Sequence, residues 1–302
     1  MHQRPFLKWP GGKFRLLDRI MAHIKTPVKH WHEPFLGSGA VFLNVEAEQY
    51  TLADANPDLI NLYQTLQREG NKFVRYVKTF FTPKTNTSEA YYELRRTFNE
   101  SKCPRERSAL FIYMNRHGFN GLCRYNQKGI FNVPFGSYRA PYFPESEMMA
   151  FHEKAQRATF LCQDFKGFLV GANNIRPSEE GVHMIYCDPP YVPLSGTAAF
   201  TQYAKGGFGV KDHQDLALLA KLSAAKGTPV LLSNHDTPLV REFYAGALIE
   251  TFPVMRTIAA SHLGRKDVQE LLALFLPTVD SDVVDRYGSL CDGRGQLTSQ
   301  CE

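Results

Sequence analysis

Along the first fifty-five residues, short apolar runs end in glycine-rich turns and are followed by apolar positions at helical spacing. That pattern predicts two strand-turn-helix units at the start of an α/β sheet. Phe6-Leu7-Lys8-Trp9 enters Pro10-Gly11-Gly12-Lys13, and Leu16, Leu17, Ile20 and Met21 then mark one face of a helix over 14–24. Trp31 to Phe35 leads into Leu36-Gly37-Ser38-Gly39 and a helix-like run from Ala40, and a further strand, Tyr50 to Ala53, ends at Asp54. From Asn56 to about Phe111 the spacing is helical throughout, rich in Tyr, Phe, Arg and Glu, which predicts an inserted helical domain. Residues 115–143 differ again: Gly118, Gly121, Gly129, Gly136, Pro134 and Pro141 interleave with Arg, Asn and aromatics, as in exposed turns or a hairpin. Strand-like runs return at 159–162, 184–187, 230–233 and 271–275, so the sheet is completed after the insert. The chain therefore reads as a discontinuous α/β domain (1–55 and 145–276) and a mainly helical insert (56–144) with a loop or hairpin near 116–140. A polar, weakly ordered tail follows over 277–302.

Composition narrows the class. With 302 residues, 43% hydrophobic and 22% charged, the chain sits near the globular average, which excludes a disordered or fibrous protein. The start, Met1 to Phe6, has no apolar signal region, and no stretch approaches the ~20 apolar residues of a membrane span, so the protein is expected to stay in the cytoplasm. Cys103, Cys123, Cys162, Cys187, Cys291 and Cys301 form no Cys-x-x-Cys pair, which predicts reduced thiols; no metal-ligand cluster is apparent. The net charge of +5 is uneven. Residues 68–139 carry fourteen Lys/Arg against five Glu, a surplus of nine that leaves the remainder about four units negative. A basic segment on a neutral-to-acidic body suggests a polyanionic partner, although a solvated helical surface is basic too.

The strongest chemical signal is Asp188-Pro189-Pro190-Tyr191, directly after the apolar strand ending at Cys187. A loop at the carboxyl end of such a strand faces the crevice where α/β proteins bind ligands. Two prolines hold it extended, so a carboxylate and a backbone carbonyl can both accept from one amino group while the tyrosine offers a flat face to a heterocycle. An exocyclic amine is a poor nucleophile because its lone pair is delocalised. Two aimed acceptors favour its tetrahedral form and stabilise positive charge as a methyl group arrives. The bland alternative is a proline-braced turn, common for Pro-Pro alone.

The second signal is Glu33-Pro34-Phe35-Leu36-Gly37-Ser38-Gly39, where Gly37 and Gly39 allow backbone to approach a ligand. It is not a dinucleotide fingerprint, because Phe42 occupies the third glycine position. Asp54, fifteen residues beyond Gly39, suits the two ribose hydroxyls of an adenosine or, with Asn56, Pro57 and Asp58 following, a helix cap.

In this order, Phe6 to Lys13, Glu33 to Gly39, Asp54 and Asp188 to Tyr191 resemble the Dam-type DNA adenine methyltransferases, the N6-adenine-specific D12 class. The likeness covers essentially 6–275 and includes Asn120 to Asn126, Phe131 to Gly136 and Ser233 to Thr237. It implies a Rossmann-like S-adenosylmethionine-dependent methyltransferase domain with a helical target-recognition insert. The implied reaction moves a methyl group from S-adenosyl-L-methionine to the N6 amine of a flipped adenine in double-stranded GATC DNA. S-adenosyl-L-homocysteine is released and no metal is needed. The resemblance places Trp9, Lys13, Phe35, Gly37, Gly39, Asp54 and Asp188 at the cofactor, and Asp164 and Phe165 by its adenine, where an ordinary turn is the other reading. It implies DNA contacts for Lys8, Arg116, Phe119, Asn120, Leu122, Arg124, Asn126, Lys128, Pro134, Tyr138 and Arg139.

Physical reasons accompany some of these. Arg124 can donate a bidentate pair to guanine, and Leu122 or Pro134 can meet a thymine methyl. A base buried in a duplex must leave the stack before its amine can react, so Phe119 and Asn120 are candidates to fill the gap. Arg116, Lys128 and Arg139 suit phosphates, which fix position without reading sequence. Three features depart from the family. Phe119 lacks a phenolic hydroxyl, Ser137 stands where a basic residue is familiar, and Ser261 to Lys266 differs from the expected glycine-rich basic turn. Three rivals remain at this point: a protein glutamine methyltransferase, which carries Asn where this chain has Asp188; an RNA adenine methyltransferase; and a DNA-binding module without turnover. A monomer is expected.

Overall fold

Apolar β-branched and aromatic runs become strands in the computed structural model, which describes residues 2–24, 27–172, 182–192, 207–254 and 268–277. The chain divides into two compact units, 1–21 with 36–162 and 22–35 with 163–302. This division follows other lines than the predicted 56–144 insert, because a strand pair and a further helix pack with the helical stretch.

In the first unit, β2 (Ala47–Asp54) pairs in parallel with β3 (Ala158–Cys162), setting Leu52 opposite Phe160. Helices α2 (Pro57–Glu69), α3 (Asn71–Lys78), α4 (Ser88–Glu100) and α5 (Pro104–His117) occupy the stretch whose spacing is helical, and α6 (Glu145–Ala155) precedes β3. Asn56 starts α2 by accepting from the backbone N–H groups of Asp58 and Leu59, with Pro57 pre-set at the first helical position. Every residue of α5 from Ser108 to His117 is buried, the expected state for a helix without a wide polar face. Phe6, Phe42, Tyr63, Phe151 and Phe160 form an aromatic core; Tyr63 and Phe151 stack at 4.6 Å, and Phe6 meets Phe151 edge-on at 5.2 Å. Losing one such ring costs roughly 3–5 kcal/mol.

The second unit holds β1 (Val28–Glu33), β4 (Val182–Cys187), β5 (Val230–His235), β7 (Val268–Phe275) and β6 (Leu248–Val254), in that spatial order. The first three run parallel, and β7 is antiparallel to both its neighbours. Residues 230–234 are all buried, as strands covered on both faces require. Helices α7 (Phe165–Ala172), α8 (Val210–Ala225) and α9 (Pro238–Phe243) belong to this unit. Register decides the placement of the chemistry: Cys187 lies opposite Leu232, so the residues following β4 emerge beside Ser233 and its successors. The architecture is mixed α/β with a Rossmann-like parallel core.

Four local expectations change. Phe6 to Trp9 is not a strand; Phe6 and Leu7 are buried, and the Lys8 backbone is held instead by Asn115 of α5. The run from Ala40 makes turns rather than a helix, because the Asn44 amide competes for backbone, donating to Ala40 and Gln3 carbonyls. The helix over 14–24 shortens to a 3-10 turn (Lys13–Leu16) and α1 (Leu17–Ala22). Strand β6 escaped prediction because it contains Glu250 and Pro253, which an edge strand tolerates. The tail over 278–302 and the stretch 261–266 lie outside the described residues. Among the described residues, no helix is long and apolar enough to cross a membrane.

Candidate active site

Residues expected at the cofactor fall in both units. In the first, Leu36 and Ala53 are joined by a backbone hydrogen bond of 2.9 Å, which brings the glycine turn to the end of β2. There the Gly37 N–H donates to Asp54 Oδ2 at 3.0 Å and the Asn56 N–H donates to Oδ1 at 2.9 Å. Gly37 has φ +48°, and a Cβ there would lie 2.8 Å from Trp9 Nε1, so a side chain is excluded on two counts. Its carbonyl accepts from the Tyr63 hydroxyl at 2.5 Å. Burial raises the Asp54 pKa, and its two backbone donors oppose that rise. A desolvated carboxylate beside a side-chain-free turn fits the paired hydroxyls of a ribose. Gly39 is buried, and Lys13, also buried, donates from Nζ to the Gly11 carbonyl at 2.7 Å.

The second unit carries the other residues. Phe35 stacks on Phe165 at 5.5 Å and meets Phe208 edge-on at 5.8 Å. Asp164 is exposed and accepts from the Gly167 N–H at 2.8 Å, so one of its oxygens caps α7. Asp188, Pro189, Pro190 and Tyr191 leave β4 as an irregular loop with Pro189 buried and Pro190 exposed. Its neighbours on β5 hold it at successive points. Ser233 Oγ donates to Asp188 Oδ1 at 2.8 Å, and Asn234 Oδ1 accepts from the Val192 N–H at 3.1 Å. His235 Nδ1 pairs with the Val192 carbonyl at 2.7 Å, and its ring meets Tyr191 edge-on at 4.8 Å. The Tyr191 hydroxyl donates to Glu270 Oε2 at 3.3 Å, and burial keeps that phenol well above its ordinary pKa, hence protonated. The Asn234 amide is fixed in turn by the Tyr244 hydroxyl at 3.2 Å. A carboxylate accepts about four hydrogen bonds, and Ser233 supplies one of those made to Asp188.

The expected DNA residues lie in the first unit, and most are at the surface. Phe119 is 48% exposed; Asn120, Arg124, Asn126, Lys128, Pro134 and Arg139 are exposed, and Lys8, Leu122 and Tyr138 are half-buried. Bridges Gly118↔Phe135 and Tyr125↔Phe131 give the loop a hairpin-like base. Asn115, buried in α5, clamps both the Lys8 backbone and the Gly121 carbonyl. Lys8 Nζ sits 4.3 Å from the centre of the Tyr138 ring, whose hydroxyl accepts from the Asn120 N–H at 2.9 Å. Arg124 Nε donates to Asn132 Oδ1 at 2.8 Å, which presets the guanidinium. Asn126 Oδ1 accepts from the Lys128 and Ile130 N–H groups, closing the turn that displays Lys128.

Arg116 is the exception. Because α5 continues to His117, Arg116 is 8% exposed, donates to the Phe6 carbonyl and lies near the Tyr142 ring. A buried guanidinium that ties the amino-terminal segment to α5 does not reach a phosphate, so we remove it from the DNA set. Arg107 and Arg105 are likewise spent on internal pairs, with Asp58 and Glu69. The basic surplus of 68–139 is therefore partly structural. Residues that sequence reasoning missed are Ser233, Asn234 and His235 as orienting partners, Tyr63 behind Gly37, and Glu270. Only Ser233 to His235 had a signal, as a matching stretch without an assigned role.

A "DNA adenine methylase" of Vibrio cholerae serotype O1 is 50% identical over 280 residues, covering 92% of this chain and 98% of that protein. The proteins of the same description from Serratia marcescens and Escherichia coli K12 are 47% and 46% identical, covering 90% and 92% of this chain and 98% and 97% of theirs. The family model that matches residues 9–258 is described as D12 class N6 adenine-specific DNA methyltransferase. The chain belongs to the D12 class of N6 adenine-specific DNA methyltransferases.

Proposed function

We propose that the protein transfers a methyl group from S-adenosylmethionine to N6 of a flipped adenine in GATC duplex DNA, releasing S-adenosylhomocysteine. The observation that carries this reading is the Asp188 loop. Its carboxylate is oriented by Ser233 at 2.8 Å, and its tyrosine ring is packed against His235. Bound S-adenosylmethionine supplies an electrophilic methyl group on a sulfonium. Asp188 and the carbonyl of Pro189 accept the N–H groups of the adenine amine. They draw it out of conjugation and offset the positive charge that forms on nitrogen until a proton leaves. The Tyr191 ring offers a face for the base. Asp54 takes the ribose hydroxyls, and Gly37 keeps side chains away from them.

An adenine stacked in a duplex does not reach such a loop, so extrusion at a few kcal/mol is part of the reading, with exposed Phe119 and Asn120 available to occupy the vacated stack. Arg124, preset by Asn132, donates to guanine, and Lys8, Leu122 and Pro134 supply the remaining base contacts. Lys128 and Arg139 hold phosphates.

The experiment is to incubate the protein with tritiated S-adenosylmethionine and duplexes containing GATC or a singly altered site, then digest the DNA and locate the label. Label in N6-methyladenine of the GATC duplex is expected. Equal labelling of the altered duplex removes the GATC assignment, and label in another base or in RNA alone removes the reaction.

A further inference from the structure

Three histidines meet in the second unit, and the proposed reaction uses none of them. In β1, strand alternation places His30 and His32 on one face and Trp31 and Glu33 on the other, and the parallel register sets His30 opposite His183 of β4. One ring nitrogen from each of the three lies within 4.8 Å of the other two. His30 stacks on His32 at 4.2 Å and 16°, His32 stacks on His183 at 6.0 Å and 22°, and His30 is tilted by 38° to His183 at 5.6 Å. Phe168 of α7 lies edge-on to His32 at 6.3 Å.

As a purely aromatic stack the cluster is poorly satisfied. Nδ1 of His32 and Nε2 of His183 are buried without a hydrogen-bond partner, a state that buried polar atoms rarely keep. Neutral imidazole is the form that binds metal. An orphaned ring nitrogen alone does not make a site. Both nitrogens of His213 are orphaned too, but the rings against it are Phe208 and Phe243, which supply no ligand.

We propose that His30, His32 and His183 form a binding site for a divalent transition ion, zinc before the others, with water completing a four-ligand shell. Imidazole suits zinc, whose bonds to nitrogen are about 2.0–2.1 Å, and ligation requires the stacked rings to turn about their side-chain torsions until their in-plane lone pairs converge on one ion. The ion would be structural. It would join β1, the strand leading to Phe35, to β4, the strand leading to Asp188. His183 precedes Asp188 by five residues, roughly 16 Å of strand, so the ion is too far away to touch the reacting atoms. The proposal does not depend on the methyl-transfer reading.

The test uses the full chain, cleared of metal by chelator and titrated with zinc chloride in a calorimeter. One ion per chain with a Kd in the micromolar range or tighter is expected, together with a Tm raised by roughly 5 °C at a hundredfold excess over Kd. The double variant His30→Gln/His183→Gln should weaken binding at least 100-fold. Should that variant fail to fold, X-ray absorption of the zinc-loaded native protein gives the answer by itself. A nitrogen and oxygen shell with imidazole scattering supports the site. Sulfur in the shell, absence of stoichiometric binding, or unchanged affinity in a folded double variant overturns it.

Discussion

The loop after β4 and the loop over 119–139 are both irregular and both carry side chains assigned to the substrate, yet they are built in opposite ways. In the first, Asp188 to Val192 is braced by two prolines, and Ser233, Asn234, His235 and Glu270 hold three of these residues. The second is long, is anchored at its base and displays its tips. Tyr91 and Arg95 hold the Val133 carbonyl, Asn99 holds both polar groups of the Phe131 backbone, and the Tyr125 hydroxyl donates to Asp58. Phe119, Arg124, Lys128 and Arg139 meanwhile remain exposed. The difference teaches what each task requires. Acceptors that act on developing charge must be aimed before the substrate arrives, because reorientation during the reaction would consume the stabilisation they provide. Donors that read a groove must protrude, and need rigidity only where they join the body.

The contrast can be broken most sharply at Asp188. Asp188→Ala should lower methyl transfer by about 10³-fold or more while DNA affinity in a gel-shift titration stays within about twofold. Substantial residual transfer would place the acceptor elsewhere. Arg124→Ala should leave the rate on GATC measurable but shrink the activity ratio between GATC and a singly altered duplex by about 10- to 100-fold, the range of a lost bidentate contact of ~1–3 kcal/mol. An unchanged ratio removes Arg124 from base reading. Ser233→Ala tests whether aim matters: kcat should fall about tenfold with KM for DNA unchanged, since only the orientation of Asp188 is lost.

A smaller effect is expected from acidity. The Asp54 pKa is raised by burial, so lowering the pH should protonate it earlier than an ordinary carboxylate and weaken S-adenosylmethionine binding several-fold. Asp54→Asn should flatten that dependence in equilibrium dialysis. The sign for stability is the reverse: between the ordinary and raised values the folded state holds more proton, so this group alone makes stability fall as pH rises. The smallest change is Tyr125→Phe, which removes one bond to Asp58 while Arg107 retains its pair there. It should lower stability by about 1 kcal/mol and Tm by roughly 2–4 °C without altering kcat. A loss of kcat would show that the recognition loop's base bears on the chemistry.

Much of the fold is legible from local pattern. The runs at 184–187, 230–233 and 271–275 lie within strands, because a strand covered on both faces is a continuous apolar run wherever it pairs; the run at 159–162 also lies in a strand, although only Phe160 is buried there. Ends and exceptions are less legible. Arg116 reads as the edge of an exposed basic loop and is instead buried by one more turn of α5, since helix length there depends on what packs against it. Ser137 reads as a missing phosphate clamp; the backbone adds that it stands at φ +54°, a left-handed conformation uncommon for any residue with a Cβ.

The sequence by itself determined the chemical vocabulary: an acid and a ring on a prolyl turn, a glycine turn with its carboxylate, and a basic, aromatic loop. These are contiguous residues whose backbone preferences and functional groups act together without help from elsewhere. Only the tertiary structure decided which groups aim, tie down or neutralise them. Ser233 reaches Asp188 across 45 residues, Asn115 clamps Lys8 across 107, and strand register alone sets His183 beside His30. Such partners are chosen by packing and register, which depend on the whole chain, and no window of sequence contains that information.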